Sequence, residues 1–232
     1  MTKYFYYIVF HLILILMFNP IWSIAIPFSL IVYLTLDIGL HRLWTHKSYD
    51  CNLILKNIMF YLSTISGLSL IGFVSMHRYH HKYSDTKKDP TWYNDWKRFL
   101  NIIFQTNFYM KYINTTEMMM MSRDVIKNSL YNFQHKHLYK ILIILNIILL
   151  TIDPVLTATF LSVPVIFSYI LSVPLSGIAQ HTFWDAKWLN IITLGLQSSH
   201  DYHHKHPTKY DWSSNGEFDL GGKLVYLIKT NN

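Results

Sequence analysis

One cysteine, Cys51, stands in 232 residues. A lone thiol excludes an internal disulfide framework, a CxxC zinc site and a cysteine-ligated iron–sulfur cluster. Charge is scarce as well: Asp, Glu, Lys and Arg make up 14% of the chain, against 51% hydrophobic residues. That is too apolar for an ordinary soluble domain, while the mean hydropathy is too mild for a chain made only of membrane spans. A membrane-embedded half with a water-facing cap satisfies both. The net charge of +7 is set beside 16% aromatic residues lodged in apolar runs, which points to lipid, and no nucleic-acid partner is expected.

What the chain has is histidine. Eight of its 13 fall in three clusters: His41 and His46; His77, His80 and His81; and His200, His203 and His204. Each cluster closes a long apolar stretch, and His181 closes another. Neutral imidazole is the commonest metal ligand. Eight or nine exceed what one ion takes, so the pattern predicts a dinuclear centre. In the second and third clusters the i, i+3, i+4 spacing sets three imidazoles on one helical face. His41 and His46 are five apart, about 140° around an ideal α-helix, so a helix end that unwinds is expected there. His11, His135, His137 and His206 read as packed, hydrogen-bonded or loop residues.

The expected fold is an all-α integral membrane protein, one domain over 1–232, with four transmembrane helices in two hairpins. The spans are 4–18 and 21–40 about Asn19-Pro20, and 138–152 and 155–180 about Asp153-Pro154. The first span follows only three residues without a cleavage site and should stay as an anchor. Residues 53–76 read as an interfacial or re-entrant helix, because a crossing there would strand His41 and His46 from the other clusters. A cytoplasmic helical cap over 77–137 and 182–232 would hold the di-metal site. All 20 Lys and Arg lie outside the two hairpin turns, which orients both termini and the site to the cytoplasm. The membrane would be the endoplasmic reticulum in a eukaryote, an inner or host membrane otherwise.

Carboxylates beside metal-bound imidazoles accept their free N–H. Asp37, Asp85 and Asp201 stand in position for that, although Asp85 and Asp89 equally suit loop capping. Arg42 and Arg78 are candidates to meet an anionic head group. Trp44 and Tyr79, with Trp184 and Tyr202, are candidates to wall a substrate tunnel.

The motifs HRLWTH (41–46), HRYHHKYSDTKKDP (77–90) and HDYHHKHPTKYDW (200–212) resemble, in order and interval, the three histidine boxes of the membrane fatty acyl desaturases, most closely the acyl-CoA delta-9 type. The resemblance implies two Fe2+ ions, O2 as co-substrate, and removal of two hydrogens from adjacent methylenes to leave a cis double bond. It further implies an acyl-CoA or acyl-lipid substrate, membrane lipid around the spans, and an external electron donor. That donor would be of cytochrome b5 or ferredoxin type, acidic to suit the basic cap. The chain departs from the pattern at Gly177, where the family commonly has Asn and where Ser176 or Gln180 would substitute. It departs again at Asp201 for Asn, and at Thr91-Trp92 for His-Asn. A di-iron hydroxylase or ketolase is the nearest alternative, and a non-catalytic metal-binding membrane protein a more distant one.

Overall fold

The structure is a computed structural model and describes residues 3–92, 96–103, 113–172, 200–213 and 218–230. Among these residues the protein is helical, with no strand. Helix α1 is Lys3–Phe18 and α2 is Trp22–Thr45, joined through Asn19, whose positive φ makes the turn before Pro20. Then come α3 Leu53–Ile65, α4 Leu70–Tyr83, α5 Trp96–Ile103, α6 Thr115–Met120 and the single turn α7 Arg123–Ile126. Helices α8 Ser129–Ile152, α9 Pro154–Ile170, α10 His200–Lys205 and α11 Leu220–Ile228 complete it.

Local chemistry sets many of the starts. Side-chain oxygens of Asn52, Ser69, Asn114, Asn128, Asp153 and Asp219 accept the first amide N–H groups of α3, α4, α6, α8, α9 and α11. Pro154 then sits where a helix needs no donor.

Among the described residues two helices, α2 and α8, each of 24 residues, are long and apolar enough to cross a membrane. Helices α1 and α9 are shorter apolar helices, and α3 with α4 would form a third crossing only if taken as one bent span. Ile143, Ile144, Ile147 and Ile148 point outward from α8, an apolar face that suits lipid. Between α1 and α9 one polar pair forms inside, with His11 Nδ1 2.8 Å from Ser162 Oγ. His11 is thus packed and hydrogen-bonded, as expected.

The segment 53–76, expected as an interfacial or re-entrant helix, is two helices. It breaks at Ser66–Ser69 and the two limbs, α3 and α4, meet at 87°. Gly67 makes the corner at φ 83°, and a Cβ there would lie 2.9 Å from the Tyr7 ring. The corner turns α4 against the end of α2, with which it packs, together with α3 and α11. Their shared core is built from Leu36, Leu40 and Leu43 of α2, Met59 and Phe60 of α3, and Leu70, Ile71 and Val74 of α4. A second core joins α1, α8 and α9 through Tyr7, Leu142 and Leu161.

Candidate metal centre

The first histidine pair rests on a π-helical turn. Residues Leu36–Thr45 wind with i to i+5 hydrogen bonds, and the amide of His46 donates to the His41 carbonyl at 3.1 Å. The Thr45 hydroxyl donates to the Leu40 carbonyl at 2.7 Å on the same spacing. Five residues therefore make roughly one turn, and the rings of His41 and His46 come 5.0 Å apart on one face. The expected unwinding is replaced by overwidening of the helix.

Helix α4 brings His77 and His81, with Nε2 atoms 3.1 Å apart. Helix α10 brings His203, whose Nε2 lies 3.0 Å from that of His81 and 3.1 Å from that of His41. One ligand nitrogen from each of His41, His46, His77, His81 and His203 falls within a 4.8 Å group. Beside it His80 and His204 form a second pair, Nε2 to Nε2 at 3.1 Å. The His81 and His204 rings stack at 4.2 Å and join the two sets.

This donor set fits metal ions. A ring nitrogen carries one hydrogen or one lone pair, so Nε2 of His203 cannot serve His41 and His81 by two simple hydrogen bonds. Imidazole nitrogens about 2.1 Å from a common ion and adjacent in its coordination shell lie about 3 Å apart. Among the described residues, Nε2 of His46 is buried with no hydrogen-bond partner. Burial, then the nearby Arg78 charge, pushes His46 down to about 3; burial, then His41, holds His77 well below the ordinary histidine range. Both are neutral at physiological pH, the form that ligates.

The outer nitrogens are held from behind. Nδ1 of His80 lies 2.9 Å from Asp89 Oδ1 and 2.9 Å from Thr91 Oγ1. Nδ1 of His204 lies 3.0 Å from Ser84 Oγ, whereas Asp37 Oδ1 stands 3.5 Å from His41 Nδ1 without accepting a hydrogen bond. The contacts to His80 and His204 turn Nε2 inward. Asp89 also accepts the amides of Asp85 and Thr91. Burial opposes its ionisation, but the bonds from His80 and these amides outweigh that and hold its carboxyl below the usual range.

Other expected residues sit elsewhere. Asp85 is exposed, with left-handed φ, and it is Asp89 that reaches the imidazole. Asp37 is near His41 as expected but bonds Arg42 Nε at 2.9 Å. Arg42, read as a head-group contact, is fully buried; it pairs with Asp219 at 2.8 Å and lies 3.6 Å from the Trp212 ring centroid. Arg78 donates to the carbonyls of Trp44, Thr45 and Met121 and to Asp124, knitting α4 to the end of α2 and to α7. Trp44 is buried against Tyr131, and Tyr79 is buried with its hydroxyl accepting the Asn114 amide. These four side chains are spent within the framework. His181, Trp184, Ser176, Gly177 and Gln180 lie outside the described residues, and of His200 and Asp201 only the backbone of α10 is described.

Sequence reading missed Trp212 and Asp219. The Trp212 ring centroid lies 3.9 Å from that of His203 and 4.8 Å from that of His41, a wall shared by two candidate ligands. Asp219 carried a signal, an Asp directly before an apolar helix, but its second task toward Arg42 lies 177 residues away.

A helix long and apolar enough for a membrane, ending at a cage of imidazoles, defines a helical membrane-type chain with a donor set that could hold metal. No family model matches it. Its curated relatives are fatty acid desaturases. It is 31% identical to the Delta(9)-fatty-acid desaturase fat-7 of Caenorhabditis elegans over 60% of this chain and 43% of that protein. It is 35% identical to an Acyl-CoA Delta(11) desaturase of Spodoptera littoralis over 30% of this chain and 22% of that protein. The longer match to Delta(9)-fatty-acid desaturase fat-5 of Caenorhabditis elegans is 24% identical over 83% of this chain and 66% of the relative. The first two matches span less than half the length of those relatives.

Proposed function

We propose that the chain is an oxygen-dependent fatty acyl desaturase that places a cis double bond in a saturated acyl chain. The observation that carries this reading is the convergence of imidazoles from all three boxes, in a chain similar to desaturases. His41, His46, His77, His81 and His203 would hold one iron, and His80 and His204, with His200 and His181, the other. Bound iron would supply oxygen activation and removal of two hydrogens from an unactivated acyl chain.

The chain's own residues do the positioning. Asp89 and Thr91 fix the His80 tautomer with Nε2 toward the cage. The Phe73 ring stacks on His77 at 5.6 Å and 10°, limiting its rotation. In this reading the four apolar segments form two membrane hairpins, with both termini and the site on the cytoplasmic side. The substrate is an acyl-CoA or acyl-lipid, and an external cytochrome b5 or ferredoxin type protein supplies electrons. Expression in cells lacking their own desaturase tests it: monounsaturated lipid, two mass units lighter, should appear and vanish with His80→Ala. A gain of sixteen units instead would assign hydroxylation, and an unchanged lipid profile from iron-loaded protein with a working donor would refute the reading.

A further inference from the structure

A cleft of about 560 Å3 lies apart from the histidine cage; among the described residues none of the clustered imidazoles lines it. Lys47, Lys56 and Lys229 line it, with Tyr131 and Tyr210, against one carboxylate, Asp50. Two of these cations are partly compensated: Lys56 lies 2.6 Å from Asp50, and Lys47 lies 2.7 Å from Asp124. Lys229 instead lies against rings, 4.9 Å from the centroid of Tyr210 and 5.7 Å from that of Tyr226. Among the described residues no carboxylate is within ion-pair distance of it. The Thr230 amide donates to the Asp50 carbonyl at 2.8 Å, which pins Lys229 over the loop before α3. The cleft is therefore basic, shaped and held from two ends.

Its depth in the fold is informative. Trp44 and Tyr131, whose rings touch at 5.9 Å, belong to the last turn of α2 and the first turn of α8. The cleft thus opens where both membrane-length helices end. On either side apolar side chains project outward: Leu53 and Ile54 of α3 are each 71% exposed, and Leu227 of α11 is 75% exposed. Lysines beside outward apolar groups at a helix end match the polar and acyl parts of a lipid.

We propose that this cleft binds the phosphate of an anionic lipid head group, with Lys229 as its main partner and Lys56 and Lys47 flanking. The acyl chains then lie along Leu53, Ile54 and Leu227. The same phosphate chemistry is offered by a soluble phosphate, and the test separates the two. The full chain in zwitterionic detergent is titrated with phosphatidic acid, phosphatidylcholine or inorganic pyrophosphate, with retention read by native mass spectrometry and folding by thermal midpoint. Phosphatidic acid should be retained more tightly than phosphatidylcholine. K229E should lower that affinity by at least about fivefold, while K223E, on α11 but outside the cleft, should not. K229Q, which only removes the charge, keeps the test open if K229E fails to fold. Equal retention of the two lipids, displacement by pyrophosphate at matched concentration, or equal loss in K229E and K223E would overturn the proposal. None of these readouts depends on iron or turnover.

Discussion

Asp89 Oδ1 lies 2.9 Å from Nδ1 of His80, inside a pocket that leaves neither side chain more than 2% exposed. A buried carboxylate that accepts an imidazole N–H raises the ring's basicity and fixes its rotation. Asp89→Ala is expected to lower metal affinity at the His80–His204 pair by about 10- to 100-fold, with Asp89→Asn losing less because an amide oxygen still accepts. Metal titration of the two variants checks it.

The buried group Asp37–Arg42–Asp219 clamps α11 onto the π-helical turn. Removing Asp219 takes from buried Arg42 one of its two carboxylates, and from Gly222 and Trp212 their amide acceptor, at a cost of about 3–5 kcal/mol. Asp219→Ala should therefore be destabilised by that order in denaturant unfolding, more than a surface change such as Asp211→Ala.

Gly221 lies where a Cβ would come 2.2 Å from Asp37 Oδ2 and 2.7 Å from Arg42 Nη2. Neither can retreat, since both are buried and bonded. Gly221→Ala should cost about 1–3 kcal/mol and weaken metal retention, whereas the conservative change at exposed Leu227 to Ala should do neither.

Asp124 accepts from Arg78 at 2.7 and 3.1 Å and pairs with Lys47 at 2.7 Å. Partial burial opposes ionisation, but these bonds hold its carboxyl well below the usual range. The folded state then binds fewer protons than the unfolded chain, whose Asp titrates at about 3.9. Its contribution is present above that value and lost as pH falls toward the folded one. The thermal midpoint should drop on acidification, and Asp124→Asn should be less stable at neutral pH with a flatter acid slope.

Histidine spacing made the cage legible in the sequence, because i, i+3, i+4 on α4 is a statement about one face. The π-helical turn was not legible as such. A five-residue interval fits an α-helix poorly, and only packing of α3, α4 and α11 around Leu36–Thr45 holds the wider winding. The 87° corner left a trace in Ser66-Gly67-Leu68-Ser69, yet an apolar run hides a break when its turn residues are few. Arg42 and Arg78 look alike in sequence, two cations after box histidines. The burial of Arg42 is set by Asp219 and Trp212, and the anchoring of Arg78 by Asp124, all far along the chain. Asp85 and Asp89 both follow the second box, and it is the loop's left-handed turn at Asp85 that sends Asp89 inward.

Iron content of the intact chain probes the histidine cage most directly. Full-length protein in detergent, reconstituted anaerobically with Fe2+, should retain two irons, read by elemental analysis and Mössbauer spectroscopy. His203→Ala and His80→Ala should each retain one or fewer. Wild-type protein that folds but holds no iron, or variants that hold as much as it does, would contradict a cage built from these side chains.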